Sequence, residues 1–551
     1  MVERKIVLTS ERTLMSSYHS HLFLGFAATL PRGRLPDWVY YSLLCPIVDA
    51  NADGSARFAP YGLRKVEASL LVSGFHRDDV IVAHPMHLSE LLGPKTLVVG
   101  LTANDPLGIG PATSTFRELM GGVSYMEHNL RALLETIRGS TDAKIVLGGP
   151  GAWQLADEET MDDLGIDHVV VGEGEKVVPK LFGDLVQGRS APRVVEGQYV
   201  LAEEIPIIAQ PSVAGLVEVA RGCGRGCRFC IPAMRRLRSI PLEKIVAEVS
   251  LNLRAGQQPI LHSEDVLAYG SRGSRISPER IKELLGAVLS IPGVHDLAVS
   301  HFSVSSIVQA DSLLEEINEK IRDAKEREGR GDELKSRFIV SGQVGIETGS
   351  PRLIREFLPG KPKPFRSEEW PDMVRRCFDL LSEHRWLACA TLIVGLPGET
   401  PQDIELTLEL VESLKGHIGL LVPLFYVDIN NRGRGSFRLA DLTPLHGELF
   451  MKCWLHTLRS VPYILGPQMI RRLSGPTSKV GVRLLVELGT RIGLRAVSVC
   501  ERQYGWDLRK MVEDINGGRL NAVTFRRPLA PLPRIGGRIR SSLSSRRRQA
   551  V

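Results

Sequence analysis

The stretch Arg221-Gly222-Cys223-Gly224-Arg225-Gly226-Cys227-Arg228-Phe229-Cys230 decides how the chain is read, because it sets three cysteines at C-x3-C-x2-C spacing. Three thiolates so close in sequence can hold three irons of a cubane [4Fe–4S] cluster on one loop, leaving the fourth iron without a cysteine. An iron with an open position can bind a small chelating molecule and pass it an electron, so the spacing points to catalysis. The glycines at 222, 224 and 226 let the loop wrap a cluster with its amides turned toward the sulfurs. Phe229 offers a nucleobase an apolar face. The competing reading is a zinc knuckle, but zinc takes four ligands in paired spacings, and no second pair lies nearby.

The spacing C-x3-C-x-aromatic-C resembles the signature of the radical S-adenosylmethionine (SAM) enzymes, in which the amine and carboxylate of SAM chelate the fourth iron. The resemblance implies that Cys223, Cys227 and Cys230 are the metal ligands and the catalytic residues, carried on a partial (βα)6 barrel open on one side. Strand and helix patterns alternate from Gly215 to about 427, in keeping with such a barrel. Three strand ends resemble the family's SAM turns. Ser263-Glu264-Asp265 stands where a G-G-E-like turn accepts a hydrogen bond from the methionyl amine. Its glycines are missing, so Glu264 and Asp265 both remain candidates. Gly345-Ile346-Glu347-Thr348-Gly349-Ser350 resembles G-x-E-[ST]-G-S, whose carboxylate (here Glu347) accepts two hydrogen bonds from ribose hydroxyls or meets the methionyl end. Gly395-Leu396-Pro397-Gly398-Glu399-Thr400 matches the G-x-P-G-E-T turn at adenine, which nominates Gly395 and Pro397; Glu399 and Thr400 also suit a helix cap.

Upstream, apolar runs at 5–9, 80–83, 96–101, 144–148 and 168–172 alternate with amphipathic stretches near 61–73, 125–138 and 175–187. Continuous β-branched strands separated by helices indicate a parallel sheet covered on both faces, a doubly wound α/β (Rossmann-like) domain. Such sheets bind ligands beyond the carboxyl ends of their strands. The turns Thr102-Ala103-Asn104, Gly148-Gly149-Pro150-Gly151-Ala152 and Gly172-Glu173-Gly174-Glu175 resemble those of the cobalamin-binding domain that precedes the barrel in one large radical SAM class. That resemblance nominates Thr102, Asn104, Gly148, Gly149, Gly172, Glu173 and Gly174 as cobalamin-binding residues, with Glu175 read as a helix-terminal acid. No D-x-H-x-x-G occurs, and His168 has the wrong spacing, so no histidine is expected beneath the cobalt.

The expected organisation is a cobalamin-binding domain over 1–205, the radical SAM barrel over 206–435, a C-terminal helical cap over 436–525 containing Trp454, His456, Tyr504 and Trp506, and a basic disordered tail over 526–551. Arg432 and Arg434, read mainly as a solvated loop, and Tyr426, read mainly as a core aromatic, stand near the barrel mouth. The net charge of +6 belongs to the tail, which holds eight arginines and no acid, so residues 1–525 sum to −2. Stable nucleic-acid binding is therefore not expected. With 43% hydrophobic and 24% charged residues, no run of eighteen apolar residues and no signal sequence, the chain reads as a cytoplasmic globular protein without a transmembrane segment. Its isolated cysteines suit a reducing compartment.

Taken together, the resemblance implies a cobalamin-dependent radical SAM methyltransferase (class B, archaeal type) acting on an unactivated sp3 carbon. The reduced cluster cleaves SAM to a 5′-deoxyadenosyl radical that removes hydrogen from the substrate, and methylcobalamin supplies the methyl group. A protein or peptide substrate is expected, with a glutamine of methyl-coenzyme M reductase as the sharpest candidate and a lipid or small molecule as the alternative. The reductant is a ferredoxin or flavodoxin. Ring or carbon–carbon bond formation with the same cofactors is the competing enzymatic reading, and a non-enzymatic iron–sulfur carrier or binding module the competing reading from another class.

Overall fold

Runs of valine, isoleucine and leucine bury as strands on both faces of a sheet: β1 (Ile6–Ser10) and β3 (Val98–Thr102) have no exposed position. With β2 (Val80–Val82), β4 (Lys144–Gly148), β5 (His168–Val171) and β6 (Val194–Glu196) they form one parallel sheet in the order β2-β1-β3-β4-β5-β6. Helices cover both faces, and two separate apolar clusters pack there. The chain is described here by a computed structural model for residues 3–20, 22–231, 236–472 and 476–520. The doubly wound reading holds, with one addition. β6 is not among the apolar runs read from the sequence; it is three residues long with no buried position, too short to show a period.

A second set of parallel strands follows. β7 (Leu216–Glu218) leads into the antiparallel pair β8 (Ala220–Arg221) and β9 (Arg238–Ser239), which brackets the cysteine loop. β10 (Ile260–His262) and β11 (Ala298–Val299) complete a sheet in the order β11-β10-β7, and β12 (Val340–Glu347), β13 (Trp386–Val394) and β14 (Leu420–Phe425) form another. A parallel bridge between His301 and Gln343 joins the two, giving six parallel strands in sequence order. This is the open (βα)6 half-barrel. The helix Pro278–Leu289, which the sequence reading passed over, packs inside this unit.

The free edge of β14 is closed by side chains. Its outward N–H groups at Gly419, Leu421 and Phe425 donate to Ser460 Oγ (3.3 Å), Thr457 Oγ1 (2.8 Å) and Thr115 Oγ1 (2.8 Å), and Pro423 between them has no N–H. Ser460 and Thr457 belong to the long helix Pro444–Arg472, and Thr115 to the helix Pro111–Met120 of the first unit. The helical region expected after 435 therefore lies along the barrel's open edge, continuing as the helices Pro476–Tyr504 and Leu508–Asn516. The 526–551 tail is outside the described residues.

Candidate functional site

The cysteine loop is wound by its glycines: Gly222, Gly224 and Gly226 have φ of +75°, +69° and +67°, a backbone that L side chains avoid. Arg228 N–H donates to Phe357 O (2.9 Å), and Asn430 Nδ2 reaches Arg228 O (3.3 Å) from beyond β14. Gly360 lies so close that a Cβ there would collide with the Arg225 carbonyl. Cys227 is buried, and Cys223 and Cys230 are half-buried. Burial, reinforced by the neighbouring thiols, pushes Cys227 up to about 11 and Cys230 up to about 12, and burial raises Cys223 as well. At neutral pH such thiols hold their protons, and a metal bound there displaces them. The donor set therefore fits a metal cluster. Among the described residues no group of three or more His, Cys, Asp or Glu is placed to hold a single metal ion, whereas a cubane asks each thiolate to meet its own iron.

Around the loop the structure sorts the candidate carboxylates. Asp265 is buried and committed: Arg225 donates to its Oδ2 at 2.6 Å, and Ser306 Oγ donates to the same oxygen at 2.6 Å. Arg225 also donates to Ser303 Oγ (2.7 Å), Ser305 Oγ (2.8 Å) and Lys361 O (3.2 Å). Glu264 is exposed, engages no partner among the described residues and lies close enough to Cys223 and Cys230 to raise both thiols. The pairing of Asp265 with Arg225 thus leaves Glu264 as the carboxylate of that turn turned outward. Glu347, at φ +57°, pairs with Lys361 Nζ, which also donates to Gly345 O and sits near Cys227. The rest of that motif is structural. Gly349 N–H donates to Thr407 Oγ1 (2.9 Å), and Ser350 Oγ donates to Asp403 Oδ1 (2.5 Å).

On the β13 turn, Gly395 (φ +81°) lies against the Phe437 ring and Pro397 is exposed. Glu399 does not cap the next helix. It accepts from Gly395 N–H (2.9 Å) and meets His446 Nε2 (3.1 Å), while Asp403 reaches back to Thr400 N–H (2.8 Å) as the capping acid.

The carboxyl end of the first sheet is turned toward this face. Arg432 meets Asp157 at 3.5 Å, Gly433 abuts Ile109, and Leu439 N–H donates to Glu118 Oε2 at 3.0 Å. Arg221 binds Glu175 (2.7 Å), Glu173 (3.2 Å) and Glu218 (2.7 Å), and Arg238 binds Glu173 at 2.7 Å. This changes the reading of one turn. Burial alone would raise the Glu173 carboxyl, but Arg238 and Arg221 hold it below its ordinary value, so its carboxylate clamps this turn to both ends of the cysteine loop. Glu175 is a second jaw of the clamp, not a helix acid.

The other crown residues build a tight rim. Ala103 N–H donates to Gly148 O and Gly151 N–H to Ala103 O, and a Cβ on Gly149 would strike buried Thr102, so β3 and β4 turn in close contact. Gly172 has φ +101° and faces Gly197; a Cβ on Gly174 would meet Val178, and Asn104 is exposed at the rim. His168 is held by Pro192 O and His84 by Val48 O.

Sequence reasoning missed several groups. Arg221, Arg225 and Lys361 had no motif to mark them. His262 and His301 end β10 and follow β11 with rings 6.2 Å apart; burial lowers both imidazoles, His301 to about 4. The strand order also puts the topological switch between β1 and β3, where ligands of open α/β sheets bind. The β1 end there, with buried Ser10, Glu11 and Thr13, carries no recognisable string.

Residues 217–411 match the model of the radical SAM superfamily. They are a radical SAM domain, which works with a [4Fe–4S] cluster and SAM. The chain is 27% identical over 393 residues to an uncharacterized protein of Methanopyrus kandleri, covering 60% of this chain and 69% of that one. It is 28% identical over 269 residues to the ribosomal protein uS12 methylthiotransferase RimO of Myxococcus xanthus, covering 48% and 50%. The chain spans half to about two thirds of the length of the curated relatives it matches first. The solved structure of the radical SAM methyltransferase TsrM from Kitasatospora setae, with cobalamin and a [4Fe–4S] cluster bound, aligns at 16% identity and TM-score 0.48, covering 76% of this chain and 75% of that one. Among the described residues no helix is long and apolar enough to cross a membrane.

Proposed function

We propose that the chain is a cobalamin-dependent radical SAM methyltransferase acting on an unactivated sp3 carbon of a protein or peptide, and that Cys223, Cys227 and Cys230 hold the cluster. The observation that carries it is the opposition of two carboxyl-end faces, the cysteine loop on one and the glycine rim of the first sheet on the other, held by the Arg221 and Arg238 clamp. When bound, the cluster supplies an electron to cleave SAM, and cobalamin supplies the methyl group. Glu264 accepts from the methionyl amine, Glu347 with Lys361 orients the ribose or methionyl end, and the turn of Gly395 and Pro397 lies against adenine. Thr102, Asn104, Gly148, Gly149, Gly172, Glu173 and Gly174 line the corrin seat. The proposed domain boundaries stay at 205, 435 and 525, the proposed reductant is a ferredoxin or flavodoxin, and the proposed compartment is the cytoplasm. A glutamine of methyl-coenzyme M reductase is the sharpest substrate and rests on the resemblance.

The test is anaerobic reconstitution with iron, sulfide and cobalamin, followed by reduction with SAM and candidate peptides. Equimolar 5′-deoxyadenosine and S-adenosylhomocysteine with a methylated peptide are expected. Absence of cobalamin from the gel-filtered protein, or 5′-deoxyadenosine without S-adenosylhomocysteine, refutes methyl transfer. A methylthiolation reading follows the names of several relatives, but residues 1–222 hold a single cysteine, Cys45, buried beside Tyr18. A sulfur-bearing product would favour that reading.

A further inference from the structure

The helix Pro476–Tyr504 is divided along its length. Its inner half is docked: Val497, Val499 and Cys500 are buried, and Gly493 packs against Leu458. Its outer half shows solvent an apolar row, Val480, Leu484, Leu488 and Ile492, between 46% and 60% exposed. Four-residue steps place these side chains on one strip about 18 Å long. The adjoining row is Arg483, Glu487 and Arg491, where Arg491 neutralises Glu487 at 2.6 Å, so the border of the strip is net positive. The sequence extends this asymmetry: residues 444–551 carry 20 Lys and Arg against six Asp and Glu, a net +14 in a chain of +6, leaving −8 for the first 443 residues.

We propose that this outer half docks on an anionic lipid surface, with the Val480–Ile492 row entering the headgroup layer and the basic row meeting lipid phosphates. A strip one side chain wide buries little against a folded partner but suits shallow insertion, and its basic border is complementary to anionic headgroups. No described helix crosses a membrane, so the contact lies along the surface. It would hold the barrel beside a bilayer, and it does not depend on which cofactors the chain carries.

The experiment is co-sedimentation of the full-length protein with phosphatidylcholine vesicles, with and without phosphatidylglycerol. At least tenfold stronger partition to the anionic vesicles is expected, falling with added salt. Leu484→Glu with Leu488→Glu lowers that partition at least tenfold, and Arg483→Glu lowers it less, both with unchanged circular dichroism and gel-filtration volume. Equal partition to both vesicle types, or a double variant that binds like wild type, overturns the proposal. So does a wild-type dimer that the double variant breaks, which would make a second copy the occupant, or displacement of the vesicles by RNA.

Discussion

Replacing Arg225 by alanine tests how the cysteine loop is held. The guanidinium is 12% exposed and Asp265 1% exposed, so the change strands a buried carboxylate with Ser306 Oγ as its remaining donor on the paired oxygen, and it leaves Ser303 and Ser305 without their shared partner. Removing one member of a buried ion pair costs roughly 3–5 kcal/mol, and the loss falls on the loop between Cys223 and Cys227. The cost should appear there, because a chain of several units does not unfold in one step. The assay is iron bound per chain after anaerobic reconstitution, paired with hydrogen exchange of residues 221–231. Arg225→Ala should lose most of its iron and exchange the loop faster, while Arg225→Met with Asp265→Asn should regain a large part of both, because no bare charge is left. If the double variant is as impaired as the single, the carboxylate is not the source of the damage and the reasoning fails.

Glu11 is raised from 4.5 to about 7 by burial, against its hydrogen bonds from Thr13 and Leu14. The folded state then holds a proton that the unfolded state has lost, so stability falls as pH rises from about 4.5 to about 7, by roughly 3 kcal/mol in all; Glu11→Gln should flatten that slope of thermal midpoint against pH. Thr457→Val removes both the acceptor for Leu421 N–H and the donor to Leu421 O, each bond 2.8 Å long. A loss of roughly 2–3 kcal/mol, read by denaturant titration of local fluorescence, is expected, and Thr457→Ser should restore most of it. Gly349→Ala sets a Cβ into the Leu406 carbonyl and within 2.7 Å of Thr407 Cα, so the β12 turn must shift; weaker SAM binding by calorimetry with iron retained is the expected split.

The strands of the first sheet were legible because both of their faces are buried, which makes each a run of apolar residues rather than an alternation. β6 was not, since three residues carry no period. Within the site, the cysteine spacing and the turns after β12 and β13 are local strings and could be read directly. What could not be read is pairing across distance. Asp265 and Glu264 are neighbours in sequence, and only the position of Arg225 separates a buried tie from an open acceptor. Likewise, the partners of Glu173, Arg221 and Arg238, lie 48 and 65 residues away and are marked by no local string.

The clamp from Glu173 and Glu175 grips β8 and β9, the two short strands through which the chain enters and leaves the cysteine loop. The first unit therefore acts as a brace for the second. Cutting the chain near residue 205 would not release two working modules: Glu173 and Glu175 on one half would lose their arginines, Arg238 would lose Glu173, Arg221 would keep only Glu218, and the cysteine loop would lose its tie to the first unit at both ends. The glycine rim on one unit and the cysteine loop on the other are built to be assembled once, together.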